Sequence, residues 1–168
     1  MKDLGRYMRS GVNMGLGTDT YPHNMLDEMR LAAYIARTQA NSPRTLRTTD
    51  VFNAATIGGA KALGRDDIGR LAVGCKADFS LVDITHPMIR PAYDPVRSLI
   101  YSADDRALKA VYVDGNKVVE DGNVLTIDYR QAAAHLNEAQ KRAARSVQQH
   151  DWAHRSSEKI APPTFHWS

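Results

Sequence analysis

The residues best placed to do chemistry lie in one short stretch, Gly15-Leu16-Gly17-Thr18-Asp19, followed by Thr20-Tyr21-Pro22-His23-Asn24. From Val12 to Thr18 apolar residues alternate with small or polar ones, the period-two sign of a strand, so Asp19 stands at that strand's C-terminal end. A carboxylate at the mouth of a βα loop is where barrel enzymes place catalytic groups, and the glycines leave room for close approach. An Asp after a strand is also an ordinary turn residue, and spacing alone leaves both readings open. His23 and Asn24, in the loop that follows, are candidates for substrate contact. Asn24 equally suits the N-cap of the next helix.

The remaining reactive side chains read as structural. Of the six histidines, His23, His86, His135, His150, His154 and His166, only His23 is near Asp19. His150 and His154 are four apart but lie beyond the expected end of the last helix, with no acid motif to complete a metal site. The single cysteine, Cys75, excludes an intrachain disulfide framework and a Cys-only zinc site. It fits a reducing, cytoplasmic compartment. Lys76 beside it suits a reactive thiol, but no base partner adjoins and the thiol reads as passive. Asp78, Asp83, Asp94, Asp114 and Asp121 fit turns and strand ends, and Trp152 and Trp167 fit packing of the tail on another surface.

These residues need elements to hold them. Residues 1–10 read as the end of a helix, broken at Gly11. After the strand at 12–18, Asn24 caps a helix running to about residue 40, with Asp27 and Glu28 in its first turn, where the helix dipole favours anions. Its apolar stripe is Leu26, Met29, Ala33 and Ala40, flanked by Ile35 and Ala36. A second helix begins after Thr48 or Thr49 and closes at Gly64. Its small residues Gly58, Gly59 and Ala60 suggest a close helix crossing. Strands are expected at 78–83, 99–101, 110–113, 117–119 and 124–126, with Asp114-Gly115 as a type I′ hairpin turn and Asp121-Gly122 as the next turn. Asp128 caps a last helix, with Gln131 in a capping-box position, running to about Val147. The tail, 148–168, reads as an extended arm or disorder.

Composition bounds the whole. Across 168 residues, 43% hydrophobic and 24% charged, the chain is globular in kind. The longest apolar run, Leu31 to Ala36, is far short of the ~20 residues of a membrane span, and the N-terminus shows no signal-peptide h-region. The net charge of +3 is spread out rather than gathered in a stripe, which argues against nucleic-acid binding. A complete (β/α)8 barrel takes about 250 residues, more than this chain has.

Together the motifs resemble the amidohydrolase superfamily, in the branch of cytosine and guanine deaminases, S-adenosylhomocysteine deaminases and triazine hydrolases. Gly15-Leu16-Gly17-Thr18-Asp19 resembles the family's eighth barrel strand. Thr49-Asp50-Val51-Phe52-Asn53-Ala54-Ala55-Thr56 with Gly59-Ala60-Lys61-Ala62-Leu63-Gly64 resembles its post-barrel helix. The stretch from Ile68 to Phe79 resembles the strand pair returning to an accessory β-sandwich, and that from Val111 to Val119 its final hairpin. The resemblance covers about residues 1–147, and its motifs fall in the family's order.

The resemblance implies an α/β fold: the last βα unit of a TIM-barrel metal-dependent hydrolase plus the C-terminal part of its β-sandwich, an incomplete barrel. Residues 1–64 would close the barrel, 65–128 supply sandwich strands, and 129–168 form the C-terminal helix and tail. Asp19 would be the strand-eight aspartate that binds the catalytic divalent metal, zinc or iron, and takes a proton from the attacking water. The parent reaction would be hydrolytic deamination, or related C–N or C–Cl hydrolysis, of a cyclic amidine, purine-like or triazine compound. The family's His-x-His pair and its further histidines have no counterpart here. The chain is therefore expected to be the C-terminal third of such an enzyme, to hold no metal stably and to be inactive alone. A homo-oligomer is expected, without nucleic-acid or membrane partners. The alternative is a non-catalytic fragment that self-associates through the strand at 12–18 and the alanine-rich last helix.

Overall fold

The computed structural model describes residues 4–19, 21 and 23–165. The readings that involve Thr20, Pro22, His166 and Trp167 fall outside the described residues. The chain forms two compact units, divided between Leu125 and Thr126.

The larger unit begins with helix α1 (Leu4–Arg9), stopped by Gly11 at φ +81. Residues 12–19 then run extended into a loop. Helix α2 (Met25–Gln39) follows, its N-cap Asn24 accepting from the Leu26 and Asp27 amides. Met29, Ala32, Ala33 and Ala36 form the buried face of α2. Ile35, expected on the flank of that stripe, points outward with Leu31 and Tyr34. At 3.6 residues per turn these positions fall on the opposite side of the helix from Ala33 and Ala36. The helix expected to follow Thr48 forms as α3 (Thr48–Asn53), one π-helical turn (Ala54–Gly58) and α4 (Gly59–Ala62). It ends at Gly64, whose φ of +68 is the left-handed C-cap conformation.

The expected strand at 99–101 is a correction: these residues lie in helix α5 (Pro95–Tyr101). Asp94 caps it by accepting from the Arg97 amide, and Pro95 sits at the first helical position, where its missing N–H costs nothing. Val96, Leu99 and Ile100 then follow helical spacing, a pattern that a three-residue apolar run conceals. Met29, Ala33, Ala36, Leu46, Val51 and Ile100 form one buried core, joined by Leu16, Phe52 and Tyr101. A second cluster gathers Ile89, Ala103 and Ala107.

The sheet is four-stranded and antiparallel in the order β1 (Phe79–Val82), β2 (Leu108–Val113), β3 (Asn116–Glu120), β4 (Asn123–Val124). Asp114 and Gly115 have φ of +51 and +79, and Asp121 and Gly122 of +44 and +78. Both pairs are the type I′ turns that suit the strand twist. Phe79 and Tyr112, opposite each other in the ladder, stack with ring centroids 4.5 Å apart.

The smaller unit is helix α6 (Tyr129–His150) followed by α7 (Ser157–Ile160). Asp128 caps α6 by accepting from the Gln131 amide at 3.0 Å. The tail departs from the expected extended arm: α6 continues past Val147 through His150, and α7 follows. The stop is made by Asp151, whose carboxylate takes two side-chain bonds from Arg155 at 2.7 and 3.0 Å and also accepts from the Arg155 and Ala153 amides. Among the described residues no helix is long and apolar enough to cross a membrane.

Candidate active site

The segment from Val12 to Asp19 is extended but pairs with no strand among the described residues. A strand at 12–18 of an incomplete barrel is expected to lack both neighbours, and without their ladder of hydrogen bonds no strand forms here. What holds the segment is the helix behind it. The Leu16 amide donates to the Ala54 carbonyl at 3.0 Å, and Asn13 Nδ2 donates to the Gly58 carbonyl at 3.2 Å. Leu16 reaches into the main core.

The glycines have a packing reason. A Cβ on Gly58 would lie 2.1 Å from the Met14 carbonyl oxygen, and one on Gly15 would lie 3.3 Å from the Gly59 Cα. The close crossing expected at Gly58 and Gly59 is thus between a helix and an extended chain, not between two helices. The two carbonyls that serve the segment, those of Ala54 and Gly58, stand at the two ends of the π-helical turn.

Asp19 ends this segment. It is exposed, and its φ of +47 is a left-handed conformation that Asp tolerates better than most residues. The reversal carries the chain into a loop that returns to the segment's end, where Thr18 Oγ1 and His23 Nδ1 lie 3.0 Å apart. Asn24 is committed to α2: its Oδ1 caps the helix, and its Nδ2 donates to Asp27 Oδ2 at 2.9 Å. Asp27 takes Arg30 at 2.8 Å, and Arg30 in turn donates to the Ile100 and Ala103 carbonyls at the end of α5. A chain of bonds therefore ties the loop after Asp19 to a second helix.

Of the residues expected at the site, Asp19 and His23 share one loop, and Asn24 acts as the helix cap. Thr18 was not singled out from the sequence. The signal was a hydroxyl and an imidazole five residues apart across a turn, which carries meaning only once the loop is seen to close. For Asp78, Asp83 and Asp94 the structural readings hold. Asp78 accepts from the Asp114 amide, Asp83 from Thr85, and Asp94 caps α5. Lys76 is paired with Asp114 at 2.7 Å rather than serving Cys75. His154 is bonded to the Gln148 carbonyl.

Residues 1–118 match the amidohydrolase family. The chain belongs to that family. It is 38% identical over 144 residues to the 5-methylthioadenosine/S-adenosylhomocysteine deaminase of Pelotomaculum thermopropionicum, covering 83% of this chain and 33% of that protein. It is 34% identical over 146 residues to the 5'-deoxyadenosine deaminase of Methanosarcina mazei, again covering 33% of the relative. Among solved structures it is similar to a zinc-bound adenosine deaminase from Xanthomonas campestris, with TM-score 0.77, 31% identity and coverage of 82% of this chain and 33% of that one. The zinc complex of the atrazine chlorohydrolase from Arthrobacter aurescens TC1 gives TM-score 0.71 and 27% identity, covering 80% and 31%. The chain thus spans about a third of the length of the relatives it matches.

A catalytic divalent metal takes about three protein ligands. Among the described residues no three His, Cys, Asp or Glu side chains come together. The described residues do not by themselves supply that donor set.

Proposed function

We propose that this chain carries the strand-eight portion of an amidohydrolase active site. The reaction of the complete site would be hydrolytic deamination, or related C–N or C–Cl hydrolysis, of a cyclic amidine, purine-like or triazine compound. Asp19 is the catalytic carboxylate and the one metal ligand supplied from this chain; zinc or iron would need its remaining ligands from elsewhere. As a base, Asp19 accepts a proton from the attacking water. His23 meets the substrate, whereas Asn24 serves the helix. In this reading residues 1–64 end a (β/α)8 barrel, 65–128 belong to an accessory β-sandwich and 129–168 form the C-terminal helix and tail. The chain alone is inactive; the complete enzyme, in the cytoplasm, would act on a small molecule. The observation that carries the reading is the placement of Asp19 at the end of an extended segment docked on its own helix, inside the stretch that matches the family.

Two measurements test it. Elemental analysis after gel filtration should find below about a tenth of an equivalent of metal per chain, because one carboxylate is not a site. Near one equivalent would overturn the inactive-alone reading. Co-expression with the N-terminal two-thirds of the Pelotomaculum deaminase should restore ammonia release from 5-methylthioadenosine, and Asp19→Ala should then cut it by about 10²–10⁴-fold. Restored activity that survives Asp19→Ala would end the assignment.

A second reading rests on the backbone of residues 12–18, which joins no strand ladder among the described residues and carries no charge between Arg9 and Asp19 to discourage pairing. Here the chain is a non-catalytic homo-oligomer joined along that edge, with neither nucleic acid nor membrane as partner. Sedimentation that depends on concentration, and is abolished by Asn13→Pro, would favour it.

A further inference from the structure

Helix α2 has no charged outer face in its middle turns. From Met29 to Ala36 the one charged residue is Arg30, and its guanidinium is spent on the Ile100 and Ala103 carbonyls. Met29, Ala32, Ala33 and Ala36 are buried on one side. On the opposite side Leu31, Tyr34 and Ile35 are 52, 50 and 41% exposed, and their spacing of three and four residues makes them one face. A surface helix turns charged residues outward, whereas a helix apolar on both sides is a buried one. The flank toward α5 is unfinished as well. Arg37 stands over the Tyr101 ring at 4.9 Å, and the Tyr34 ring lies 6.0 Å from the same ring. Yet Arg37 Nε and the Tyr101 hydroxyl are buried with no hydrogen-bond partner among the described residues. Complete interiors pair nearly all such atoms.

We infer that the Leu31, Tyr34 and Ile35 face of α2 is a docking surface for the part of an amidohydrolase that this chain lacks, a polypeptide of the family's N-terminal two-thirds. Size and number select that occupant over a second copy. Three side chains fall far short of the ~800 Å² that each partner buries in a standard interface, so the contact must continue onto other elements. The same unit also exposes Leu71 and Val73 ahead of β1, and Met88 and Tyr93 ahead of α5. A two-fold contact between copies uses one self-complementary patch. Apolar surface on three separate elements calls instead for a polypeptide that surrounds the unit.

The relatives have the length for one. In the Pelotomaculum deaminase and in the zinc-bound adenosine deaminase, the matched part is 33% of the chain. The composition of the face agrees, because a tyrosine with an arginine beside it is the kind of pair enriched at interface centres. This inference rests on the proposed reading of a site whose other ligands come from elsewhere, and it adds the surface that holds their carrier.

Hydroxyl-radical footprinting read by mass spectrometry tests it. The full chain alone is compared with a chimera in which it replaces the corresponding third of the Pelotomaculum deaminase. Oxidation of Leu31, Tyr34 and Ile35 should fall severalfold in the chimera, and in the free chain it should not vary with concentration. The double variant Leu31→Lys, Ile35→Lys should keep the circular dichroism of the free chain. It should bind the separately expressed N-terminal two-thirds at least about tenfold more weakly than the wild type. Side chains equally reactive in the chimera, or a complex that survives the double variant, would overturn the inference. Protection that grows with concentration in the free chain would overturn it in favour of a second copy. Where the chimera does not fold, the co-expressed pair decides, and a wild-type chain that forms no complex also counts against the surface. Neither readout needs metal or turnover. Ammonia release that depends on Asp19 while the face stays reactive would sink the docking surface and leave the function standing; a protected face with activity that survives Asp19→Ala would do the reverse.

Discussion

The extended segment at 12–19 and the β2–β3 hairpin are both short stretches of strand-like sequence, yet opposite forces hold them. The hairpin is closed by its own neighbours: Asp114-Gly115 makes the turn, and adjacent strands satisfy each other's amides. Residues 76–78 add a clamp, with Lys76 on Asp114, the Ala77 carbonyl on the Gly115 amide and Asp78 on the Asp114 amide. The segment has no such local closure. Its place is set from about forty residues away, by the Ala54 and Gly58 carbonyls and by glycines that let the two backbones touch. The candidate catalytic carboxylate sits on the segment held at a distance, so substitutions far from Asp19 in sequence should displace it, while damage to the hairpin should not.

The largest expected break is Gly58→Ala. Its new Cβ would meet two backbone oxygens, those of Met14 and Asn53, and neither can swing aside as a side chain would. A loss of about 3 kcal/mol in denaturant unfolding is expected. Hydrogen exchange at the Leu16 amide should rise while the β2–β3 amides keep their protection. Equal loss of protection in both places would mean that the two regions are not held independently.

Next comes Arg30→Met, which keeps the apolar stem and removes the donors to the Ile100 and Ala103 carbonyls. Charged hydrogen bonds of this kind contribute about 2 kcal/mol. The loss should appear in the helices around the main core and leave the sheet unaffected. Gly115→Ala makes the converse test. At φ +79 a Cβ costs about 1 kcal/mol, and the effect should stay in the hairpin, without changing the environment of Asp19 or His23 in NMR spectra.

The smallest effect concerns the other unit. The Arg155 guanidinium, bonded to both oxygens of Asp151, holds that carboxyl well below its ordinary value of 3.8. A depressed folded-state pKa contributes stability that is present above the unfolded value and lost as pH falls through the folded one. Helicity of the smaller unit, followed by circular dichroism, should therefore weaken slightly on acidification below about pH 4. Arg155→Met should flatten that dependence, and an unchanged profile would remove the pair from the account of how α6 ends.

Much of this was legible because the signals were local. Asn24 and Asp128 are caps that act on amides two or three residues ahead. Asp114-Gly115 and Asp121-Gly122 are turns because their positions tolerate positive φ, whatever lies elsewhere. Residues 99–101 resemble a strand only when taken alone: Val96, Leu99 and Ile100 have helical spacing, and Asp94-Pro95 sets a helix start before the apolar run begins. The end of α6 was misplaced because the stop is made by the Asp151–Arg155 pair, four residues apart, and not by a glycine.

The sequence by itself therefore determined the caps, the hairpin turns, the buried stripe of α2 and the family, since each depends on residue types within a few positions of one another. Only the tertiary structure decided that residues 12–18 lie against the helix at 48–62 rather than in a ladder, and that Thr18 meets His23. Whether an extended chain pairs, docks or stands free depends on which distant carbonyls face its amides, and no local pattern encodes that.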